Sequence, residues 1–446
     1  MKIIFCLHHF LPEFIAGTEI YTLRLAQQLQ LMGNDVLILI PFFDQQKTIE
    51  YKYEEIRVIK YSETSFIDKK MIMGKKIPDG VKVFAEILLT ERPDIIHFHE
   101  IAYGRAITIF HVEQAKTFNI PIVLTCHLSS YSCFVNSMVY KSKKKCDGKI
   151  NIKKCTACNY ESKNLAGFKA SVLNTGALAL YIMNLNSSLL NTKLGTALGF
   201  PFLINKLKID LTKLSTFTNK IIVLTEWYKN VLIKNDIPAQ KIQYIKQGLT
   251  LDRPDKVDNI QLEYPLKVVF VGRISKLKGI DLLIDAICGL PQDKVNLYIY
   301  GQENECDFAL KCKQKSKDHP NIKWMGIIPE KDVIITMSRN HILCLPSTFS
   351  EMSPLIIQEA FAAGVPVLAS DVYGNAEQIE DNINGWLFRF KDTNHLKEKL
   401  EMLLRDLQII GNARFHLPAT YSFKEVAAEH LEVYDNLVQN LNEVML

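Results

Sequence analysis

The 446-residue chain has no run that reaches the roughly 18 uninterrupted apolar residues of a membrane-spanning helix. The nearest, Ala177–Leu190, is broken by Asn184, Asn186, Ser187 and Ser188. One-signed charge is also scarce: 53 basic against 48 acidic residues leave a net charge of only +5. With no block of basic residues interleaved with aromatics, a nucleic-acid partner is excluded. The first residues, MKIIFCLHHF, lack the basic region, apolar run and cleavage site of a signal peptide and enter a strand directly. A cytoplasmic chain is therefore expected, with its ten cysteines reduced or metal-bound rather than paired.

What is present is globular. Hydrophobic residues make up 48% and charged residues 23%, and the length calls for two or three domains. Short apolar runs alternate with helical patterns. Strands are expected at Ile3–Leu7, Val36–Ile40, Arg57–Tyr61, Ile95–Phe98, Ile122–Thr125 and Ile221–Leu224 in the first half. The second half offers Val268–Val271, Leu297–Tyr300, Ile322–Trp324, Ile342–Leu345, Val367–Ala369 and Trp386–Phe388. Runs apolar for four or five residues suit parallel strands buried on both faces. With amphipathic helices such as Ile20–Met32 and Ile280–Cys288 between them, the pattern predicts α/β architecture with two Rossmann-like doubly wound domains. We expect an N-terminal domain over 1–250, interrupted by an insertion at about 128–220, and a second over 251–421. The polar stretch Leu251–Tyr264 separates them, and a last helix over 422–446 crosses back to the first domain.

The stretch Ser350–Ser370, SEMSPLIIQEAFAAGVPVLAS, places Glu351 and Glu359 around a helix start. Ser353 has N-cap chemistry, and Pro354 suits the first helical position because its missing N–H costs nothing there. Between the carboxylates lie the free amides of a helix N-terminus, which favour an anion. The pair reads either as a clasp for hydroxyls at both ends of a phosphate-bearing ligand or as a dipole-compensating charge and a solvated face residue. Upstream, VGRISKLKG sets Gly272 and Arg273 at a strand end, and Lys278–Gly279 before the next helix. Two cations there can neutralise a diphosphate, or stand as ordinary surface charges.

Taken together, the GR…KG element, the Glu-x7-Glu helix and the A-x-G-V-P-V-x-A-S strand resemble glycosyltransferase family 4, retaining enzymes of the GT-B fold. The resemblance implies two domains facing a central cleft, the first (1–250) on the acceptor side and the second (251–421) binding the nucleotide sugar, and transfer of a hexose from a nucleotide sugar, a UDP-sugar among the candidates. It implies that Arg273 and Lys278 bind the donor diphosphate, Glu359 the ribose, and Glu351 the transferred sugar. Backbone at Met352, Ser353, Pro354 and Leu355 would meet sugar or phosphate, and Ile327 and Ile328 would frame the base. In the first domain, FLPEFIAGTEIYTLRLAQQL resembles the family's glycine-bearing first loop, with Gly17 near the phosphates; the family's second glycine is Ala16 here. His127, ending PIVLTCH, matches the cleft histidine at the reaction centre, and His97 and His99 in DIIHFHE resemble another recurrent feature, at least one of them structural. No Asp-x-Asp motif accompanies these elements, so no cofactor is expected for catalysis.

The insertion carries Cys133, Cys146, Cys155 and Cys158 at spacings C-x12-C-x8-C-x2-C. They read either as a structural zinc site or as unrelated reduced thiols. Lysines crowd 141–154, and apolar runs follow at Val172–Leu190 and Leu198–Ile204. That combination suits either docking on an anionic membrane surface, at the inner face of the plasma membrane, or a solvated face over a small core. The expected partners are a nucleotide-sugar donor and a saccharide or lipid-linked acceptor in polysaccharide or glycolipid biosynthesis. A nucleotide-sugar 2-epimerase of the same architecture and a non-catalytic nucleotide-sugar-binding protein are the rival readings. Gln247–Gly248–Leu249–Thr250 replaces a common family N-G-(V/I)-D, so base and sugar identity stay open.

Overall fold

The computed structural model describes residues 1–43, 47–63, 69–102, 106–190, 192–249 and 260–445, so residues 251–259 of the expected linker, and Thr250 before it, lie outside the described residues. The chain divides into two compact units. One comprises Met1–Ser142, Asp147–Lys246 and Ser422–Leu446, the other Lys143–Cys146 and Gln247–Tyr421.

The first unit is built on a sheet of β1 (Lys2–Cys6), β2 (Asp35–Phe42), β3 (Ile49–Tyr53), β4 (Ile56–Ser62), β5 (Ile95–Phe98), β6 (Ile122–Cys126), β7 (Lys220–Val223) and β8 (Ile242–Tyr244). Their order across the sheet is β8-β7-β6-β5-β1-β2-β4-β3. All neighbours pair parallel except β3, which runs antiparallel on the edge beside β4. The central strands are buried on both faces, as their apolar runs require. Two strands of this sheet are additions to the sequence reading. IEYKY of β3 is half polar because it forms an edge, and β8 has only three residues.

Helix α1 (Gly17–Leu31) packs against the C-terminal helix Phe423–Met445 within this unit. The Tyr21 ring meets Phe423 edge-on at 5.1 Å, and its hydroxyl lies 3.3 Å from His430 Nε2. Between β6 and β7 the insertion is largely helical: α2 (Ile152–Ser162), α3 (Gly167–Ile182), α4 (Lys193–Leu198) and α5 (Phe200–Phe217). Asn151 caps α2 by accepting the Lys154 N–H, and Thr192 caps α4 through the Gly195 N–H. Only Ala177 of α3 is fully buried, so most of that apolar helix faces outward.

In the second unit β9 (Leu266–Val271), β10 (Val295–Tyr300), β11 (Ile322–Gly326), β12 (Ile342–Leu345), β13 (Val367–Ser370) and β14 (Gly385–Phe388) form an all-parallel sheet. Its order is β11-β10-β9-β12-β13-β14. Helices α6 (Ile280–Cys288) and α7 (Leu355–Ala362) contribute Leu283, Ile284, Ile287 and Ile357, Ala360 to separate apolar cores.

Each unit has one topological switch point. In the first, the chain runs outward from β1 through β2 and β4, then returns to lay β5 on the other side of β1. In the second it runs from β9 through β10 to β11, then returns to lay β12 beside β9. A crevice opens outside the carboxyl ends of the strands at such points, and ligands bind there.

Candidate active site

The switch point of the second unit collects the residues singled out from sequence. Gly272 and the exposed Arg273 follow β9. The Gly272 N–H donates to Tyr300 O (3.0 Å), and a Cβ at Gly301 would lie 1.8 Å from Gly272 O, so the two loops touch through backbone alone. After a tight turn over Lys276–Lys278, Gly279 adopts φ +67°. A Cβ there would stand 2.0 Å from Pro346 O, so only glycine lets this loop sit on the segment following β12. Thr348 completes the seam, its N–H donating to Leu277 O (2.8 Å) and its hydroxyl to Lys276 O (2.9 Å).

That seam positions an ion pair. Lys278 Nζ donates to Glu351 Oε1 at 2.6 Å, and the Ser347 hydroxyl donates to the same oxygen at 2.7 Å. Support continues behind it. Ser370 Oγ donates to Ser347 O (2.7 Å), and Asn375 Nδ2 donates to Ser370 O (3.1 Å). Gly374, beside Asn375, packs so closely that a Cβ would stand 2.1 Å from Glu351 O. Glu351 is only 8% exposed, so cation, hydroxyl and backbone together fix its carboxylate in a largely dry site.

Helix α7 begins one residue later than expected. Pro354, not Ser353, is the N-cap; its backbone is extended (φ −66°, ψ 116°), and its carbonyl accepts the Ile357 N–H at 3.1 Å. Proline's fixed φ suits this boundary, and the Ser353 side chain caps nothing. The free amides therefore start at Leu355. Glu359, the fifth residue of α7, is 9% exposed, and burial, reinforced by Glu330, pushes its carboxyl up to about 7. A carboxyl kept this dry is poised to take hydroxyl donors. Ile328 packs on the core of this unit, whereas Ile327 is exposed.

In the first unit His127 follows β6 and is buried. Its Nε2 lies 3.0 Å from His99 Nδ1, and the Tyr21 ring meets it edge-on at 4.8 Å. Burial, with His430 nearby, lowers its pKa to about 3, so it is a neutral imidazole. His97 is structural: Nδ1 pairs with Tyr434 OH (2.6 Å) and Nε2 with Thr125 Oγ1 (2.7 Å). Gly17 is the first residue of α1, with no atom within 4 Å of where a Cβ would stand. It requires no unusual φ, so what it offers is open space beside the helix start.

Residues 252–414 match Glycosyl transferases group 1, and residues 15–160 match Glycosyltransferase Family 4. The chain belongs to this glycosyltransferase family. Among its relatives, an amylovoran biosynthesis glycosyltransferase of Erwinia amylovora is 25% identical over 201 residues, covering 43% of this chain and 49% of that protein. The phosphatidyl-myo-inositol mannosyltransferase of Mycobacterium leprae is 26% identical over 185 residues, covering 40% and 49%. The aligned region thus spans about half the length of these curated relatives. Among solved structures, sucrose-phosphate synthase from Thermosynechococcus elongatus superposes with a TM-score of 0.65 at 16% identity, covering 98% of this chain and 99% of that one. Anabaena HepE in complex with UDP-glucose gives 0.59 at 16% identity, covering 100% and 99%. These likenesses show the fold, and the fold class is GT-B.

Lys278 and Glu351 stand in direct contact, and Gly272, Arg273, Met352–Leu355 and Glu359 flank the same switch point of the second unit. Sequence reasoning missed Ser347, Ser370, Asn375 and Gly374. Their signal was positional only: Ser370 ends β13, and the others follow β12 or β13, at the carboxyl edge where ligands bind. Cys133, Cys155 and Cys158 belong to the first unit and Cys146 to the second. Among the described residues no disulfide forms, and no three His, Cys, Asp or Glu side chains gather as a metal-ligand set. Backbone amides donate to two of the thiols, Asn151 N to Cys155 Sγ (3.4 Å) and Lys141 N to Cys158 Sγ (3.3 Å).

Proposed function

We propose that the protein transfers a hexose from a nucleoside-diphosphate sugar to a saccharide or lipid-linked saccharide, with retention of anomeric configuration. The observation that carries this reading is the Lys278–Glu351 pair at the switch point, with Glu359 and the amide end of α7 beside it. In the free protein the Lys278 ammonium is held by Glu351. A bound diphosphate would draw Lys278 and Arg273 onto its oxygens, with the amides at Leu355 and beyond adding their dipoles. Glu351 would then turn its oxygens to hydroxyls of the sugar, and Glu359 would take the two ribose hydroxyls. The cations stabilise the leaving diphosphate in a preorganised site, so the reading needs no metal for the transfer. Attack comes from the leaving-group face, and the departing phosphate takes the acceptor proton.

The lipid-linked acceptor of this reading would be membrane-borne. Helix α3 and the segment after it expose Phe168 (84%), Ile182 (82%), Met183, Leu185 and Leu190, with lysines at 169 and 193. Such a surface suits the interface of an anionic bilayer, here at its cytoplasmic face. Among the described residues no helix is long and apolar enough to cross a membrane. A relative from Campylobacter jejuni, 25% identical over 189 residues, is named for transfer to a diphospho-undecaprenol-linked sugar.

The test is incubation with a panel of UDP- and GDP-sugars, with and without glycolipid extract. Acceptor-dependent release of nucleoside diphosphate, and an axial or equatorial linkage matching the donor by NMR, would support the reading. Conversion of the nucleotide sugar without acceptor would favour the epimerase, and binding without turnover a non-catalytic role.

A further inference from the structure

Four residues of the cysteine-bearing insertion belong to the unit that does not carry it. The insertion's chain is part of the first unit up to Ser142 and again from Asp147, while Lys143–Cys146 is part of the second. The turn that leads into this strap is strained. Lys141 and Ser142 stand consecutively at φ +52° and +54°, a region that residues bearing side chains seldom occupy. Strain of this kind persists only where surrounding contacts hold it.

Those contacts lie at the carboxyl end of β13. Lys145 Nζ donates to Asp371 Oδ1 at 2.5 Å and stands 5.6 Å from the centre of the Tyr373 ring. The Tyr373 hydroxyl donates to Cys146 O at 2.8 Å. Val372, between the two gripped residues, is fully buried and donates its N–H to Ser370 O (2.8 Å), so Asp371 and Tyr373 move as one piece. Tyr373 opens the short helix Tyr373–Ala376. The next residue is Gly374, whose missing Cβ lets this helix rest against the carbonyls of Glu351 and Met352. One residue step and one backbone contact therefore separate the strap from Glu351.

We propose that Lys145 and Tyr373 are positioning residues for sugar transfer: through Gly374 they hold the Glu351 loop, and with it the Lys278–Glu351 pair, in place. The alternative is that the strap only fastens the insertion. Fastening is poorly served by this ion pair, because Lys145 and Asp371 are 35% and 42% exposed, and a pair so open to water adds little stability. Three contacts converging on two residues fix geometry instead, and at a reacting centre a displacement of about 1 Å is enough to slow the chemistry. The inference rests on the transferase reading, in which Glu351 holds the transferred sugar.

The test uses the full chain and two readouts. Hydrogen exchange of the free protein needs no substrate. It follows peptides covering 347–352 and 371–377, in which the Thr348 and Ala376 amides donate to Leu277 O and Val372 O. Lys145→Ala and Tyr373→Phe should each speed exchange in both peptides by about 10-fold and leave the strands of the second unit unchanged. Steady-state kinetics then uses the UDP- or GDP-sugar that the panel turns over. Lys145→Asp and Asp371→Lys should each lower kcat by about 10-fold, with the donor KM within about 2-fold and the melting temperature within about 2 °C. Exchanging the charges, Lys145→Asp with Asp371→Lys, should restore kcat to within about 3-fold of the natural protein, which a general loss of stability would not do. Unchanged exchange in peptide 347–352 would overturn the proposal. So would full kcat in the single variants, or a charge-exchanged protein that recovers nothing. If no nucleotide sugar is turned over, the transferase reading fails, and hydrogen exchange still decides whether the strap holds the Glu351 loop.

Discussion

Lys278 Nζ and Glu351 Oε1 lie 2.6 Å apart, joined across 73 residues by two loops that leave neighbouring strands at the switch point. Both side chains are mostly buried, at 15% and 10% exposure, and Ser347 holds the shared oxygen from the other side. Neither group can change without altering the other's surroundings, which makes the pair a single functional element. Glu351→Ala and Lys278→Ala should each lower kcat/KM by about 100-fold or more. The double variant should lose scarcely more than either single one, because groups that act as a unit are non-additive. Additive losses in a full kinetic cycle would show that the two act independently.

Glu359 gives nucleotide binding a pH dependence. Burial raises its carboxyl to about 7, and accepting two ribose hydroxyls requires the ionised form. UDP affinity should therefore rise as pH increases from 6 to 8, by up to about 10-fold for one proton per pH unit. Isothermal titration at several pH values measures this. In Glu359→Gln binding should be weak and flat across the range.

Gly374 supports Glu351 from behind without touching a ligand. A Cβ there would stand 2.1 Å from Glu351 O and 2.7 Å from Met352 O, both backbone atoms that cannot swing aside. Gly374→Ala should push the Glu351 loop outward, destabilising the protein by about 1–3 kcal/mol and lowering kcat. Thermal melting and steady-state kinetics on the same sample test the two effects together.

Acid should weaken the first unit. His8, His111 and His127 are lowered to about 3, and His430 to about 4, with burial the leading cause in each. The unfolded chain takes up protons on these histidines below about 6.5 while the folded one does not, so stability falls as pH drops from there toward 4. Glu19 and Glu100, raised to about 7, act in the opposite sense, adding stability as pH falls from 7 toward 4.5. The histidines are more numerous, so the urea midpoint at pH 5 should lie below that at pH 7. Glu19→Gln should steepen the decline by removing part of the opposing contribution.

Vesicle co-sedimentation tests the outward face of α3. Phe168→Asp with Ile182→Asp should reduce binding to anionic vesicles several-fold while leaving the melting temperature within a degree or so, because neither side chain is buried. Unchanged sedimentation would remove the membrane from the reading.

Much of the fold was legible because parallel strands buried on both faces must be apolar without interruption. The expected strands Ile95–Phe98 and Ile342–Leu345 coincide with β5 and β12 residue for residue, and Ile280–Cys288 with α6. The edge strand β3 escaped because its polar alternation looks like a turn, and β8 because three residues carry no period. At the site, Glu351, Glu359, Arg273 and Lys278 were legible as charged residues at strand and helix boundaries. Ser347, Ser370 and Asn375 were not, since small polar residues in loops are common and nothing local marks those that converge.

The sequence by itself determined where the buried apolar strands lie, where the charged groups fall relative to them, and the family to which the chain belongs. Those properties are local, or depend on spacing along the chain. Tertiary structure decided that Lys278 and Glu351 form one ion pair, that Asn375 and Ser370 brace it, and that a buried Glu19 oxygen has no partner among the described residues. Strand order across each sheet makes these neighbours, and that order emerges only when buried faces compete for the same core.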